Sequence, residues 1–193
     1  MKVRESGMPD EEMWQGFFDP PAVLGKVGLT SECRNAVEFG CGYGTFTIPA
    51  AQIVHGLIYA FDVEPEMVTT TSSKAAGAGL KNVLVQQRDF IAEGSGLPDA
   101  SCDYAMLFNI LHAEEPLVLL KEAWRVLSIG GKLGIIHWNY DPSTPRGPSM
   151  EIRPRPEQCR AWAEQAGFGL LPPGLVNLPP YHYSLVFRRP ADP

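Results

Sequence analysis

The chain has 193 residues, 16 Lys and Arg against 22 Asp and Glu, and a formal charge of -6, a balance that opposes a nucleic-acid partner, because phosphate affinity draws on clustered Lys and Arg. The length fits one domain, able to bury about 70% of its unfolded surface without staples, and Cys33, Cys41, Cys102 and Cys159 form no C-x-x-C pair, which argues against a zinc site or a disulfide framework. The polar start "MKVRESGMPDEEMW" and the lack of any apolar run near 18 residues argue against a signal peptide and a membrane span, so the expectation is a cytoplasmic protein with no metal and a small or uncharged partner.

Residues 1–30 form an N-terminal helical segment whose aromatic cluster, Trp14, Phe17 and Phe18, either closes over a site as a lid or anchors the terminus. "NAVEFG" reads as a buried first strand, followed by a helix from about Thr45 whose early Pro49 is tolerated in a first turn and whose end is marked by Gly56. "LIYAFD" is the second strand. Glu64-Pro65-Glu66 opens the next helix, with acids at its positive end and Gly79 beyond its other end. "NVLVQQ" and "CDYAMLFN" are strands three and four, and "EEPLVLLKEAWRVL" is a helix with Leu117, Leu120, Trp124 and Leu127 on one face. "IGGKLGIIHW" is a glycine turn leading into strand five.

From Asn139 to Pro156 the prolines at 142, 145, 148, 154 and 156 predict a long loop, of the kind that is either a binding segment, the reading favoured here, or a disordered connector. The helix "PEQCRAWAEQA" turns Cys159, Trp162, Ala163 and Ala166 inward. A weak strand near "LLPPGLVNL" and a final alternating strand "YHYSLVFRR" complete the pattern. Strands alternating with helices predict an α/β domain of parallel strands joined by helical crossovers.

The stretch "NAVEFGCGYGTFT" concentrates the chemistry. A glycine loop between strand and helix lets backbone approach a ligand closely, and the free N–H groups at the helix start suit a carboxylate or phosphate. Asp62, some twenty residues on at the end of strand two, suits the two hydroxyls of an adenosine ribose, or caps the helix after it. The dinucleotide pattern G-x-G-x-x-G/A fails in both registers, because Thr45 or Thr47 stands where the third small residue is required.

The spacing E-x-G-x-G-x-G from Glu38 through Gly40, Gly42 and Gly44 instead resembles the first motif of class I S-adenosylmethionine-dependent methyltransferases. The resemblance continues through "IYAFDVEPEMV", "VLVQQRDF", "CDYAMLFNILHAEEP" and "RVLSIGGKLGIIHW". It implies a single methyltransferase domain with a Rossmann-like, doubly wound, mostly parallel seven-stranded sheet whose last strand is antiparallel. It also implies S-adenosylmethionine as cofactor and a small-molecule methyl acceptor. Carried over by position, Gly40, Cys41, Gly42 and Gly44 line the methionine part, and Glu38 reaches its ammonium or fixes the loop. Asp62 holds the ribose, Val63 and Met67 pack near the adenine, Asp89 meets its amine, Phe90 covers the ring, and Phe108 and Asn109 lie beside the methionine. Asp89 also reads as a turn residue.

Methyl transfer needs alignment and water exclusion more than a dedicated base. His112 and His137 are the candidate catalytic residues, each with a structural alternative. Asn109-Ile110-Leu111-His112 replaces the Asn/Asp-Pro-Pro-aromatic run of methyltransferases acting on amide-type nitrogens, which disfavours such acceptors. Trp14, Phe17, Trp138, Tyr140 and Arg146 are candidate acceptor walls, with Arg146 or Arg153 as holder of an anionic acceptor. An NAD(P)-dependent oxidoreductase and a non-catalytic S-adenosylmethionine-binding protein are the alternatives.

Overall fold

Two short helices open the part of the chain that the computed structural model describes, residues 9–191. They are α1 (Glu11–Gln15) and α2 (Pro20–Lys26), each begun on an aspartate whose carboxylate accepts a backbone N–H, Asp10 from Met13 and Asp19 from Ala22. Of the segment expected over 1–30, residues 1–8 lie outside the described part.

The chain then alternates: β1 (Ala36–Phe39), α3 (Thr47–Ile53), β2 (Ile58–Asp62), α4 (Pro65–Gly77), β3 (Val83–Gln87), β4 (Cys102–Phe108), α5 (Pro116–Val126) and β5 (Leu127–Trp138). After a long loop come α6 (Pro156–Gln165), β6 (Gly169–Leu170), β7 (Val176–Leu178) and β8 (His182–Arg188). Pro65, Pro116 and Pro156 each stand in a first helical turn, where a missing N–H costs nothing.

One sheet runs β3-β2-β1-β4-β5-β8-β6, with β7 also on β8. The first five strands are parallel and β8 is antiparallel to β5. The order reverses between β1 and β4, the crevice where open α/β sheets bind ligands. Helices cover both faces, so the strands alternate between two apolar cores. Val37, Phe39, Ala105, Leu107, Leu133 and Ile135 pack under α5 and α6, while Ala36, Ile58, Ala60, Met106 and Ile136 pack on the α3 side.

Three expectations are revised. The sheet has eight strands rather than seven: the weak strand near the end splits into β6 and β7, because Pro172 and Pro173 have no N–H to continue the ladder along β8. The glycine turn before strand five lies inside β5 as a bulge. Leu127 pairs with Cys102, yet Lys132 already pairs with Tyr104. On α5 the buried residues are Leu119, Leu120, Ala123 and Val126, a face rotated from the expected stripe, with Leu117 and Trp124 only half-buried. That helix packs against both the sheet and α6, so its apolar face is set by two neighbours.

The α2 end is tied to the sheet by Tyr104, whose hydroxyl donates to the Val27 carbonyl at 2.6 Å. Across β4 and β5, a Cβ added at Gly134 would stand 2.2 Å from that hydroxyl. Gly134→Ala is therefore expected to cost about 1–3 kcal/mol through overpacking, and Tyr104→Phe about 1–3 kcal/mol through the buried carbonyl it orphans. Urea unfolding of the double variant should show less than the sum, because losing the hydroxyl relieves the clash; strict additivity would refute this coupling.

Candidate active site

Parallel register sets Phe39 opposite Phe61, so the loop leaving β1 and the acid ending β2 arrive at the same end of the sheet. There Gly42 N donates to Asp62 Oδ2 at 2.8 Å and Glu64 N to Oδ1 at 3.0 Å. The Gly42 carbonyl accepts from Thr71 Oγ1 of α4 at 2.7 Å. Gly40 sits at φ +80°, and a Cβ there would lie 2.8 Å from Ile110 Cδ1, so left-handed backbone and close packing both require glycine.

Glu38, 2% exposed, accepts a hydrogen bond from Thr47 Oγ1 at the start of α3. Burial pushes its carboxyl from the ordinary 4.5 to about 8, opposed by the Thr47 bond and reinforced by the charge of Asp62. Asp62, 4% exposed, is also raised by burial, against the N–H groups of Glu64 and Gly42. Among the described residues neither acid has an ion-pair partner, and Lys74, which donates to the Tyr43 carbonyl, is paired with Glu11. At neutral pH Glu38 keeps its proton, and a cation bound beside it would favour the charged form of both carboxylates. The Cys41 thiol is pushed up by burial and by Glu38, so this residue contributes its backbone.

Asn109, just past β4, adopts φ +56°, and both atoms of its buried amide lack a partner; buried Thr45 Oγ1 is orphaned as well. Buried polar atoms of this kind call for a ligand or water. On the far side of Asp62, Arg88 N donates to its carbonyl, so Asp89 follows directly, half-buried, with Oδ1 accepting from Ala92 N at 3.0 Å. Met67 is buried on α4 and Val63 half-buried before it. Phe90 and Phe108 are core residues, edge-on to Phe39 at 5.4 Å and to Phe46 at 4.9 Å. The glycine loop, Glu38, Asp62 and Asn109 thus share one end of the sheet, while Phe90 is committed to packing.

The histidines are non-local. His112 Nδ1 lies 3.4 Å from His137 Nε2, and His137 Nδ1 is buried without a partner. Burial lowers His112 to about 4, and lowers His137 well below 6.5 with help from His112, His182 and Arg153. Both rings are neutral at pH 7. His112 lines a cavity of about 500 Å³ with Leu111, Tyr140, Met150, Arg155 and Trp162.

His137 and Trp138 follow one another on β5 and so leave on opposite faces. Trp138 joins Trp14 and Phe17 around His182, whose ring centroid is 4.2 Å from Trp138 and 4.4 Å from Phe18. The N-terminal aromatics are thus seated at the ends of β5 and β8, and α1 is clamped to α4 by Glu11 and Lys74. Those three candidate walls are separated from Tyr140, which is on the cavity.

Arg146 is exposed, and Arg153, 6% exposed, is spent within its own loop. Nε donates to Pro148 O, Nη1 to Asn139 O, Asp141 O and Thr144 Oγ1, and Nη2 to Arg146 O and Pro148 O, over 2.6–3.2 Å. Gly147, at φ +112°, fits between Arg153 and Trp138, with each within 3.0 Å of where a Cβ would stand. Arg153 is therefore corrected from acceptor ligand to organiser of the loop. Sequence pattern missed His182 and Thr45. Only the alternation of the last strand hints at the first, and nothing local marks the second. Among the described residues no group of His, Cys, Asp and Glu could hold a metal ion, and no helix is long and apolar enough to cross a membrane.

Residues 37–135 match the model of a family described as methyltransferase domain. Among solved structures, a SAM-dependent methyltransferase from Aquifex aeolicus aligns with a TM-score of 0.81 at 27% identity, over 97% of this chain and 97% of its own. The [4+2]-cyclase SpnF aligns at 0.75 and 18% identity, over 89% and 81%. An S-adenosylmethionine-dependent methyltransferase from Mesorhizobium loti aligns at 0.67 and 15% identity, over 88% and 96%. These last two show likeness of fold alone. No curated protein matches the chain in sequence.

The orphaned His182 yields a prediction. Burial first, then Arg153, lowers its pKa from 6.5 to about 3. Between those values the unfolded chain binds a proton that the folded chain refuses, so this group's contribution to stability falls as pH drops through 6.5. Glu38 acts oppositely, holding a proton when folded between 4.5 and about 8 and disfavouring the fold as pH rises through that window. His182→Phe should stabilise the protein at pH 7 by removing two unpaired nitrogens. Its advantage over the parent should grow by about 2 kcal/mol on lowering the pH from 6.5 to 5. Chemical denaturation at the two pH values measures it, and a constant difference would contradict the assignment.

Proposed function

Because the chain belongs to the methyltransferase-domain family and its cofactor is S-adenosylmethionine, we propose that it transfers the cofactor's methyl group to a small-molecule acceptor. The observation that carries this reading is the pair of buried, unpaired acids beside the glycine loop, Glu38 and Asp62. A sulfonium and an ammonium bring positive charge there. The pyrophosphate of a dinucleotide would bring negative charge to the same hollow, which weighs against the oxidoreductase alternative. The cavity beside His112 favours a transferase over a protein that only binds the cofactor.

Asp62 would take the ribose hydroxyls on lone pairs not used by Gly42 and Glu64. The Gly40–Gly44 backbone, Glu38 and the Asn109 amide would hold the methionine end, and Val63, Met67 and Asp89 the adenine side. Bound there, the cofactor supplies an electrophilic methyl, displaced in line so that the C–S electron pair stays on sulfur. His112 turns Nδ1 to His137 and lines the cavity, so Nε2 is the nitrogen left to meet an acceptor there. With the shared proton on His112 Nδ1, Nε2 carries a lone pair and accepts the proton of an acceptor hydroxyl. Neutral above about pH 4, it stays competent across the physiological range.

Calorimetry and thermal shift test the cofactor site. S-adenosylmethionine and S-adenosylhomocysteine should raise Tm by several degrees at about a hundred times Kd, and NAD should not. Asp62→Asn should weaken binding by about tenfold or more, since charge-assisted bonds are worth about 1.5–3 kcal/mol each. A larger shift with NAD would replace this reading by the oxidoreductase one. His112→Gln should keep cofactor affinity and lower kcat by about a hundredfold in a labelled-methyl assay with the acceptor; unchanged turnover would remove His112 from the chemistry.

A further inference from the structure

The cavity beside His112 is walled by two aromatic rings, Tyr140 and Trp162, with Leu111 and Met150 between polar groups. Of its two arginines, Arg153 has its donors committed to loop carbonyls and Thr144. Arg155 is different. Its guanidinium carbon stacks 3.6 Å from the Tyr140 ring centroid, which fixes the plane of its fork at the cavity edge. Among the described residues it has no ion-pair partner.

Arg155 also stands at the N-cap of α6, the positive end of a ten-residue helix, beside Gln158, whose Oε1 accepts from Arg155 N. Glu114 and Glu151, exposed on the same lining, oppose a dianion and leave room for one negative charge. A planar donor fork on an aromatic ring matches a carboxylate in two parallel hydrogen bonds.

We propose that the methyl acceptor is a flat, largely apolar monoanion whose carboxylate is held by Arg155 and whose body lies along Trp162, Met150 and Leu111. Its hydroxyl, at the opposite end, faces His112. This deepens, and rests on, the methyltransferase reading. In the step itself the hydroxyl proton passes to His112 Nε2, an O–C bond forms as the C–S bond of the cofactor breaks, and the C–S pair remains on sulfur. The products are a methyl ether that keeps its carboxylate and S-adenosylhomocysteine.

The experiment uses 4-hydroxybenzoate and 4-hydroxycinnamate, with the corresponding amides, as probes against the full chain saturated with S-adenosylhomocysteine, read by ligand-observed NMR titration. Each acid should bind at least about tenfold more tightly than its amide. Arg155→Met should abolish that preference while leaving amide binding and S-adenosylhomocysteine affinity unchanged, and Arg155→Lys should keep only part of it. Arg155 is exposed, and an unaltered Tm together with the unaltered cofactor affinity shows that the variant folds. Acids that bind no better than amides, acids that fail to bind at millimolar concentration, or a preference that survives Arg155→Met would each overturn the proposal. Failure of S-adenosylhomocysteine to bind would overturn the methyltransferase reading instead, whatever the acids do.

Discussion

The carboxylate of Asp62 is the joint on which the cofactor end of the molecule turns. It accepts from Gly42 at the loop leaving β1 and from Glu64 at the head of α4, while Thr71 of α4 returns a hydrogen bond to the Gly42 carbonyl. Strand, loop and helix are closed into a ring of polar contacts around a buried charge. Burying that charge is costly unless it is bonded, and the two backbone N–H groups offset part of the cost. Glu38 lies close enough to add to the strain, and its own hydrogen bond to Thr47 fixes where α3 begins. Buried acid and an orphaned amide at one end of the sheet suit a cationic, hydrogen-bonding ligand.

Much of this end was legible in the sequence because its parts are local. Glu38, the three glycines and Asp62 follow one another at spacings that a strand, a tight loop and a crossover helix impose, and parallel pairing then brings them together. The cavity end obeys no such spacing. His112 meets His137 across 25 positions, and Arg155 acquires its meaning only from the ring of Tyr140. Arg153 and Arg155 are indistinguishable as letters two positions apart, yet one is buried among carbonyls and the other stacks at a cavity edge. Likewise, the stripe read on α5 was rotated because a helix packed against two neighbours buries more than one narrow seam. The bulge in β5 and the split of β6 from β7 are properties of pairing, which the isolated strand pattern does not contain.

The two faces of β5 divide the labour of the active end. His137 is buried behind His112, while Trp138 belongs to the aromatic cluster that seats the N-terminal segment over His182. That cluster closes the side where the sheet would otherwise expose large rings, and it encloses an imidazole whose two nitrogens are unsatisfied. Polar groups buried at such expense commonly mark a functional region rather than a packing optimum. Fold likeness alone would not assign these features an acceptor, since one architecture hosts many reactions.

The loop between β5 and α6 is held by Arg153 mostly through its main chain, with the Asp141 carboxylate, which accepts from Ser143 N and Oγ, as a second tie. Arg153 grips four carbonyls, those of Asn139, Asp141, Arg146 and Pro148, and only Thr144 contributes a side chain. Carbonyl oxygens are common to all residues, so a framework built on them is indifferent to most of the letters it carries. Side chains at the loop's outward positions are thereby uncoupled from its shape, as the variable tips of a rigid frame are in other binding scaffolds. Substitution there can change the cavity's rim without dismantling the loop, provided that Arg153, Gly147, Asp141 and Thr144 stay. In this loop the residues that hold the shape and those that face outward are different, so the second set is free to diverge while the first stands still.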